Sequence, residues 1–325
     1  MAAYTLANML VLNDKNLAPV EVNQLLEASP LLLWLAATIS SNGEKHSYLA
    51  KTGAPTVGYR TVNTGLAASV ATRVKRETTL KLLSANSECD RALADLYQFG
   101  RDAFVAQDVM DHLSAALTDT EKQIINGTAN NADGYTGFVQ ALPYKNSPMV
   151  VDATGTANDT LVSSVYLVRS TDALEDVAVV GKGTGSNPMN AKIQLDLGQS
   201  VEQALTDDDG NRYPGIYTPC EGWLGLQVGS PYSIARLCNV TAQSGKTLTD
   251  ALLAQLWAKI PASKRGTPDN WRFVMNGTLQ MQLQQSRTAT SESGKDADIP
   301  ENWQRIPFVI TDNVSEHETI LAAAP

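Results

Sequence analysis

The sequence is poor in the residues that usually do chemistry: 325 residues contain only three cysteines and three histidines. Cys89, Cys220 and Cys238 are an odd, widely spaced set without a CxxC pair. No disulfide framework can be built from them, and folding in a reducing cytoplasm is the simpler expectation. His46, His112 and His317 are scattered, with no second histidine at i+4 and no HExxH, so a histidine metal site would have to be gathered from distant parts of the fold. His112 lies near Asp108 and Asp111 and reads as a helix-face residue hydrogen-bonded to a neighbour. GxSxG is absent and no cysteine has an assignable base, so the sequence offers no catalytic residue, cofactor site or metal site.

Long apolar runs are missing too. The strongest, "LLLWLAATI" from Leu31 to Ile39, is about half of the roughly 20 residues that cross a bilayer. It reads as a buried segment or a docking arm, and no membrane contact is expected. "MAAYTLANMLVLNDKN" has no basic n-region, clean apolar stretch or small-residue cleavage site. The sequons at Asn126, Asn158, Asn239, Asn276 and Asn313 are therefore expected to be silent. Positive charge is in deficit, with 25 Lys and Arg against 34 Asp and Glu and a net charge of −9. That is the wrong sign for holding nucleic acid through its phosphates.

Two glycine- and acid-rich stretches come close to known sites and fail. Gly181, Gly183 and Gly185 in "VVGKGTGSN" match neither GxxxxGK[ST] nor GxGxxG, and no amphipathic helix follows to offer its amides. The acidic Asp207–Gly210 turn would need glycine at 212 and glutamate at 218 to form a calcium loop, where Arg212 and Thr218 stand. Both read as surface turns.

What the sequence does have is order along the chain. Residues 1–45 combine a helix-like "LAPVEVNQLLEAS" with the apolar run and read as an arm. Residues 46–88 turn β-rich around "TGAPTVGYRTVNTG", and the flanks "HSYLAK" and "TRVKRETTLKLL" can pair as a long two-stranded ribbon. Such a ribbon is marginal alone in water and has to lie on something. Arg73, Lys75 and Arg76 cluster on it, suited to contact the acidic majority of a neighbouring copy. After Gly100 the apolar residues fall at spacings of three and four up to Ile125, which predicts a helix of about 25 residues ended by Gly127 in a left-handed conformation. "IINGTANNADGYTGF" then reads as a helix stop and a turn.

Residues 160–241 read as one compact sheet module, carrying the runs "SSVYLVRS", "DVAVVG", "AKIQLDLG", "WLGLQVG" and "YSIARLCNV". Beyond it an amphipathic helix over Leu252–Ile260, a strand "WRFVMNG", a helix from Thr278 and a strand "RIPFVITD" complete an α+β chain. Trp34, Trp223, Trp257, Trp271 and Trp303 sit in or beside apolar runs and read as core or subunit-contact anchors.

The order of arm, unsupported ribbon, long helix and sheet modules resembles the major capsid protein of tailed bacteriophages, with its Hong Kong 97-like fold. "PTVGYRTVNTG", "SECDRALADL", "IINGTANNADGYTGFVQALPY", "SSVYLVRS", "YSIARLCNV" and "RIPFVITD" look like the matching stretches of a subfamily from short-tailed phages. The chain differs from that pattern at Ser170-Thr171, where the family often has Trp-Gly, and at Val180 to Gly183, in place of a Pro-Lys-Gly turn. The resemblance implies an N-terminal arm (1–45), an extended loop (46–88), a peripheral domain containing the spine helix (89–245) and an axial domain (246–325). It also implies a subunit whose activity is assembly, into hexamers and pentamers that close an icosahedral head around double-stranded DNA without reading its sequence. Scaffolding, portal and decoration proteins are the further partners implied. The expected subunit-contact residues are Pro55, Tyr59, Arg60 and Asn63 at the loop tip, Arg73, Lys75 and Arg76 on the ribbon, and Trp34 on the arm. A second reading, a non-enzymatic β-rich module that binds a ligand or glycan, stands beside it.

Overall fold

The computed structural model describes residues 29–156, 161–182, 196–289 and 295–325. A five-residue helix α1 (Pro30–Trp34) leads to β1 (Ala37–Ile39), then to the ribbon strands β2 (Lys45–Gly53) and β3 (Thr72–Thr79). Two short strands follow, β4 (Lys81–Ser84) and β5 (Ser87–Asp90), then a single turn α2 (Arg91–Ala94) and the long helix α3 (Arg101–Asn126). The middle of the chain comprises α4 (Phe138–Ala141), β6 (Val150–Asp152), β7 (Val162–Arg169), β8 (Val177–Gly181), β9 (Asp196–Leu197), β10 (Val201–Thr206), β11 (Arg212–Thr218), β12 (Cys220–Val228) and β13 (Ile234–Thr241). The last part carries α5 (Asp250–Lys259), α6 (Ala262–Arg265), β14 (Trp271–Met275), α7 (Gly277–Ala289), β15 (Asn302–Trp303) and β16 (Ile306–Ile310).

Helix α3 forms where the sequence periodicity puts it. Its 26 residues at about 1.5 Å each make a rod of about 39 Å. Its two ends are buried in different places. Ile124 and Ile125 enter the main core with Phe138, Tyr166 and Leu237, whereas Phe104, Val105 and Val109 pack with Cys89, Ala94 and Ile216 in a second, smaller core. The helix thus bridges two hydrophobic cores.

The compact module expected over 160–241 is instead divided among three sheets. Strands β7 and β13 lie in a six-stranded sheet ordered β15-β16-β14-β7-β13-β6, together with the C-terminal strands. Strands β8 and β12 belong to a sheet ordered β1-β8-β12-β4, and β10 and β11 form a three-stranded sheet with β5. The physical reason is that β7, β8 and β13 are buried along nearly their whole length. Strands apolar on both faces carry no periodic mark of which neighbour they choose. Of "AKIQLDLG", only Asp196, Leu197 and Gly198 fall among the described residues.

The helix stop at Gly127 has positive φ, as expected, but φ 56° and ψ −132° are not the left-handed helical values. The chain goes on into a 3-10 turn, Gly127–Ala129. Side chains then knit the loop: Gln123 Nε2 donates to the Tyr135 carbonyl at 2.7 Å, and Gln140 Nε2 donates to the Asn126 carbonyl at 3.0 Å while its Oε1 accepts from Gly137 N at 2.8 Å. Asn126 of the first sequon donates to the Asn313 carbonyl, and the sequon residues Asn239, Asn276 and Asn313 are buried. Asn158 lies outside the described residues.

Candidate assembly interface

The ribbon pairs as the sequence suggested, with His46 to Lys51 opposite Thr78 to Arg73 in antiparallel register. The rest of "TRVKRETTLKLL" leaves it. Leu80 is buried, and β4 then pairs with Glu221–Leu224 of β12. The ribbon therefore grows from the sheet at the point where β4 enters it. Past that point the carbonyls of Leu226 and Val228 on β12 are met by side chains of the ribbon root, Thr78 Oγ1 and Tyr48 Oη, each at 3.3 Å. Between the root, β12 and α4 lies a groove of about 610 Å³ lined by Tyr48, Arg76, Leu142, Met149 and Val228.

Strand alternation splits the basic cluster. Arg73 and Lys75 alternate with Arg76, which lies across from Tyr48 and lines the groove together with Glu77 and Thr78. Glu77 bridges Lys75 at 2.8 Å and Lys45 at 3.0 Å. Hydrogen bonds from these two ammonium groups lower its carboxyl to about 2, and the same contact raises Lys45. Burial raises the Tyr48 phenol, with Arg76 opposing.

The tip, residues 54–70, is exposed throughout. It is closed by a turn in which Thr64 N donates to the Thr61 carbonyl at 3.2 Å and Asn63 takes φ 65°, the positive φ that a type II turn places at its third residue. Pro55, Tyr59, Arg60 and Asn63 all lie on this exposed tip, Tyr59 at 108% relative exposure. Val57, Val62, Leu66 and Val70 are exposed with them, as are Leu49 and Val74 on the strands. So many exposed apolar side chains gathered on one ribbon are the mark of a contact site. It is also charged: residues 45–81 hold seven Lys and Arg and a single acid, Glu77, a net +6 within a chain of net −9 that leaves −15 elsewhere. Trp34 does not join this constellation; it is half-buried on α1 beneath the Arg272 guanidinium, 5.1 Å from the ring centre.

Sequence reasoning missed the ribbon root. His46 is buried with neither ring nitrogen hydrogen-bonded, its ring 5.7 Å from that of Tyr48. The only sequence signal for this was the alternation His-Ser-Tyr, which puts both rings on one face. His112 stands 3.9 Å from Asp108 Oδ2, too far for the hydrogen bond expected of it, because Asp108 is buried and accepts from the Ser87 hydroxyl.

Among the described residues no three His, Cys, Asp or Glu side chains are grouped to hold a metal, and no helix is long and apolar enough to cross a membrane. The three cysteines are free and buried, and burial pushes the Cys89 and Cys238 thiols up to about 11 and about 12, away from the thiolate that reacts. The Asp207–Gly210 turn is closed on itself, Asp207 Oδ1 accepting from Asn211 N at 2.7 Å and from Asp209 N at 3.1 Å. Gly183 and Gly185 lie outside the described residues.

Comparison with known proteins agrees with this geometry. The family described as major capsid protein GP7 matches residues 14–322. No curated protein matches the chain. Among solved structures, a chain from bacteriophage Epsilon15 superposes with a TM-score of 0.69 at 17% identity, covering 99% of this chain and 98% of that one. A chain of the bacteriophage JBD30 capsid gives 0.51 at 11% identity, covering 96% and 99%. These structures share the mixed α+β Hong Kong 97-like fold. The chain belongs to the major capsid protein GP7 family, and is a structural subunit of a bacteriophage head shell rather than an enzyme.

Proposed function

We propose that the subunit assembles by laying its ribbon over a neighbouring copy, in hexamers and pentamers that close into an icosahedral shell around double-stranded DNA. The observation that carries this reading is the bare tip: Val57, Tyr59, Val62, Leu66 and Val70 are all exposed in the single chain. Covering these five side chains would contribute on the order of 7–15 kcal/mol at roughly 1.5–3 kcal/mol each, before the cost of ordering and association is subtracted. Pro55, Arg60 and Asn63 flank them at the tip, and Arg73 and Lys75 face outward for the acidic surface of the neighbour. Arg76 steadies the ribbon root over its groove, and Trp34 sits at the arm.

In this reading residues 1–45 are the arm, 46–88 the extended loop, 89–245 the peripheral domain and 246–325 the axial domain. The six-stranded sheet crosses the boundary at 245 through β7 and β13, so the two domains share one core. A net charge of −9 suits a container that does not adhere to its DNA. Assembly in the host cytoplasm, with scaffolding, portal and decoration proteins as further partners, completes the proposal. The test replaces residues 54–70 by a short Gly-Ser turn and follows folding by circular dichroism and assembly by sedimentation. A folded subunit that fails to form particles is expected; particles at wild-type yield would remove the ribbon from the account.

A further inference from the structure

Glu121 is fully buried on α3, and no cation pairs with it among the described residues. Its two carboxylate oxygens are filled from opposite ends of the sequence. Oε2 accepts from the backbone N–H groups of Leu31 at 2.8 Å and Leu32 at 3.0 Å. Oε1 accepts from Asn313 Nδ2 at 2.9 Å and from the Thr311 hydroxyl. A buried carboxylate without a counter-charge survives only when donors fill it, and here all four partners are donors.

The segment it holds is otherwise anchored mainly by packing, with Leu31 and Leu35 in the main core and Leu32 and Trp34 against it. Of α1, only Leu31 is buried, and Leu33 is 70% exposed. Leu35 follows it into the core, and Ala36 N reaches the Ser170 hydroxyl at 2.8 Å before β1 joins β8 in parallel. Without an acceptor at 121, the amides of Leu31 and Leu32 would lie buried and unpaired, which favours lifting the segment into water. The residues that bring Thr311 and Asn313 to the same carboxylate continue from β16, whose register on β14 is fixed by three residue pairs. The clamp therefore refers the start of the described chain to the six-stranded sheet.

We propose that Glu121 is a positioning residue for assembly: it fixes the segment from Ser29 to Ala36 against the six-stranded sheet. This rests on the reading of residues 1–45 as an arm that holds neighbouring copies.

The test measures hydrogen exchange of the 29–36 peptide in the unassembled subunit, and particle yield, for E121M, E121Q and a chain lacking residues 1–28. In E121M, exchange over 29–36 rises at least about tenfold, as two unmet backbone donors require. Exchange over β7 stays at wild type, and particle yield falls to that of the truncated chain. E121Q keeps an oxygen for Leu31 and Leu32 and can donate to the Thr311 hydroxyl, but its amide NH2 meets the Asn313 Nδ2 donor, so protection and yield fall between those of E121M and wild type. Unchanged protection in E121M overturns the clamp. Rapid exchange with wild-type particle yield overturns the assembly role if truncation abolishes particles; if truncation also leaves yield intact, the arm reading itself falls. Should E121M not fold, Thr311→Val decides: a few-fold faster exchange confined to 29–36 supports the clamp, and wild-type exchange there overturns it.

Discussion

Gly127→Ala is the substitution whose cost the structure fixes most closely. The residue ends α3 at φ 56° and ψ −132°, where an L side chain is strained, at roughly 1–2 kcal/mol for the positive φ alone. A Cβ there would lie 1.8 Å from Gln140 Oε1 and 2.3 Å from the backbone nitrogen of Gly137. Gln140 must move, giving up its bonds to Gly137 N and to the Asn126 carbonyl, worth about 1 kcal/mol each. The Gly137 backbone can only shift by distorting α4. The sum is about 3–4 kcal/mol before that distortion. Gly43 is the matched control, with φ +53° and nothing within 4 Å of where a Cβ would stand, so Gly43→Ala bears the backbone cost alone, about 1–2 kcal/mol. Urea unfolding of the unassembled subunit, followed by far-ultraviolet circular dichroism, compares the two. Gly127→Ala should be less stable than Gly43→Ala by about 2 kcal/mol or more, with an unchanged m-value. Equal losses would mean that the turn yields, and that the Gln123–Gln140 network is not the rigid junction between α3 and the chain beyond it.

Four further predictions concern buried polar groups and the ribbon. His46→Phe removes two ring nitrogens that are buried without partners and should raise stability by about 1 kcal/mol, read from the same urea curves; a loss of that size would mean the nitrogens are bonded in solution. Arg236 pairs with Glu318 at 2.8 Å, their side chains 3% and 11% exposed, so Arg236→Met should cost about 3–5 kcal/mol by stranding a buried carboxylate. Tyr166→Phe, beside it, deletes a buried hydroxyl that has at most the Ser164 side chain for a partner and should change stability by no more than about 1 kcal/mol. The Glu77 carboxyl, lowered to about 2 in the fold, contributes stability above its unfolded value of about 4.3 and loses it as pH falls through about 2. Nuclear magnetic resonance titration should therefore find it ionised at pH 4 in the wild type and titrating near its ordinary value in a Lys45→Met/Lys75→Met chain.

The long helix was legible because burying one face of an isolated rod imposes a period, and Val105, Val109, Ile124 and Ile125 keep it. The ribbon was legible because its two strands are joined by a single connection and pair only with each other. The neighbouring strands were not. Lys81–Leu83 read as the tail of the ribbon and no strand was expected over Ser87–Asp90, yet β4 and β5 pair with β12 and β11 across more than a hundred residues of chain, a distance at which local pattern says nothing of partner choice. The same blindness merged β7, β8, β12 and β13 into one module. At the interface, tip residues such as Tyr59 could be named because none of the described residues covers them, whereas the face that Arg76 shares with Tyr48 depends on register. Glu121 carried one sequence signal, an acid spaced three and four residues from Ile124 and Ile125, which says that a buried carboxylate needs donors but not that Leu31 and Asn313 supply them.

The central claim, that this chain builds a shell from copies of itself through an unsupported ribbon, is tested most directly by electron microscopy and sedimentation of the purified full chain at high concentration. Closed particles or ring-shaped capsomers are the predicted result. A protein that stays strictly monomeric while hydrogen exchange finds residues 45–79 ordered would contradict it.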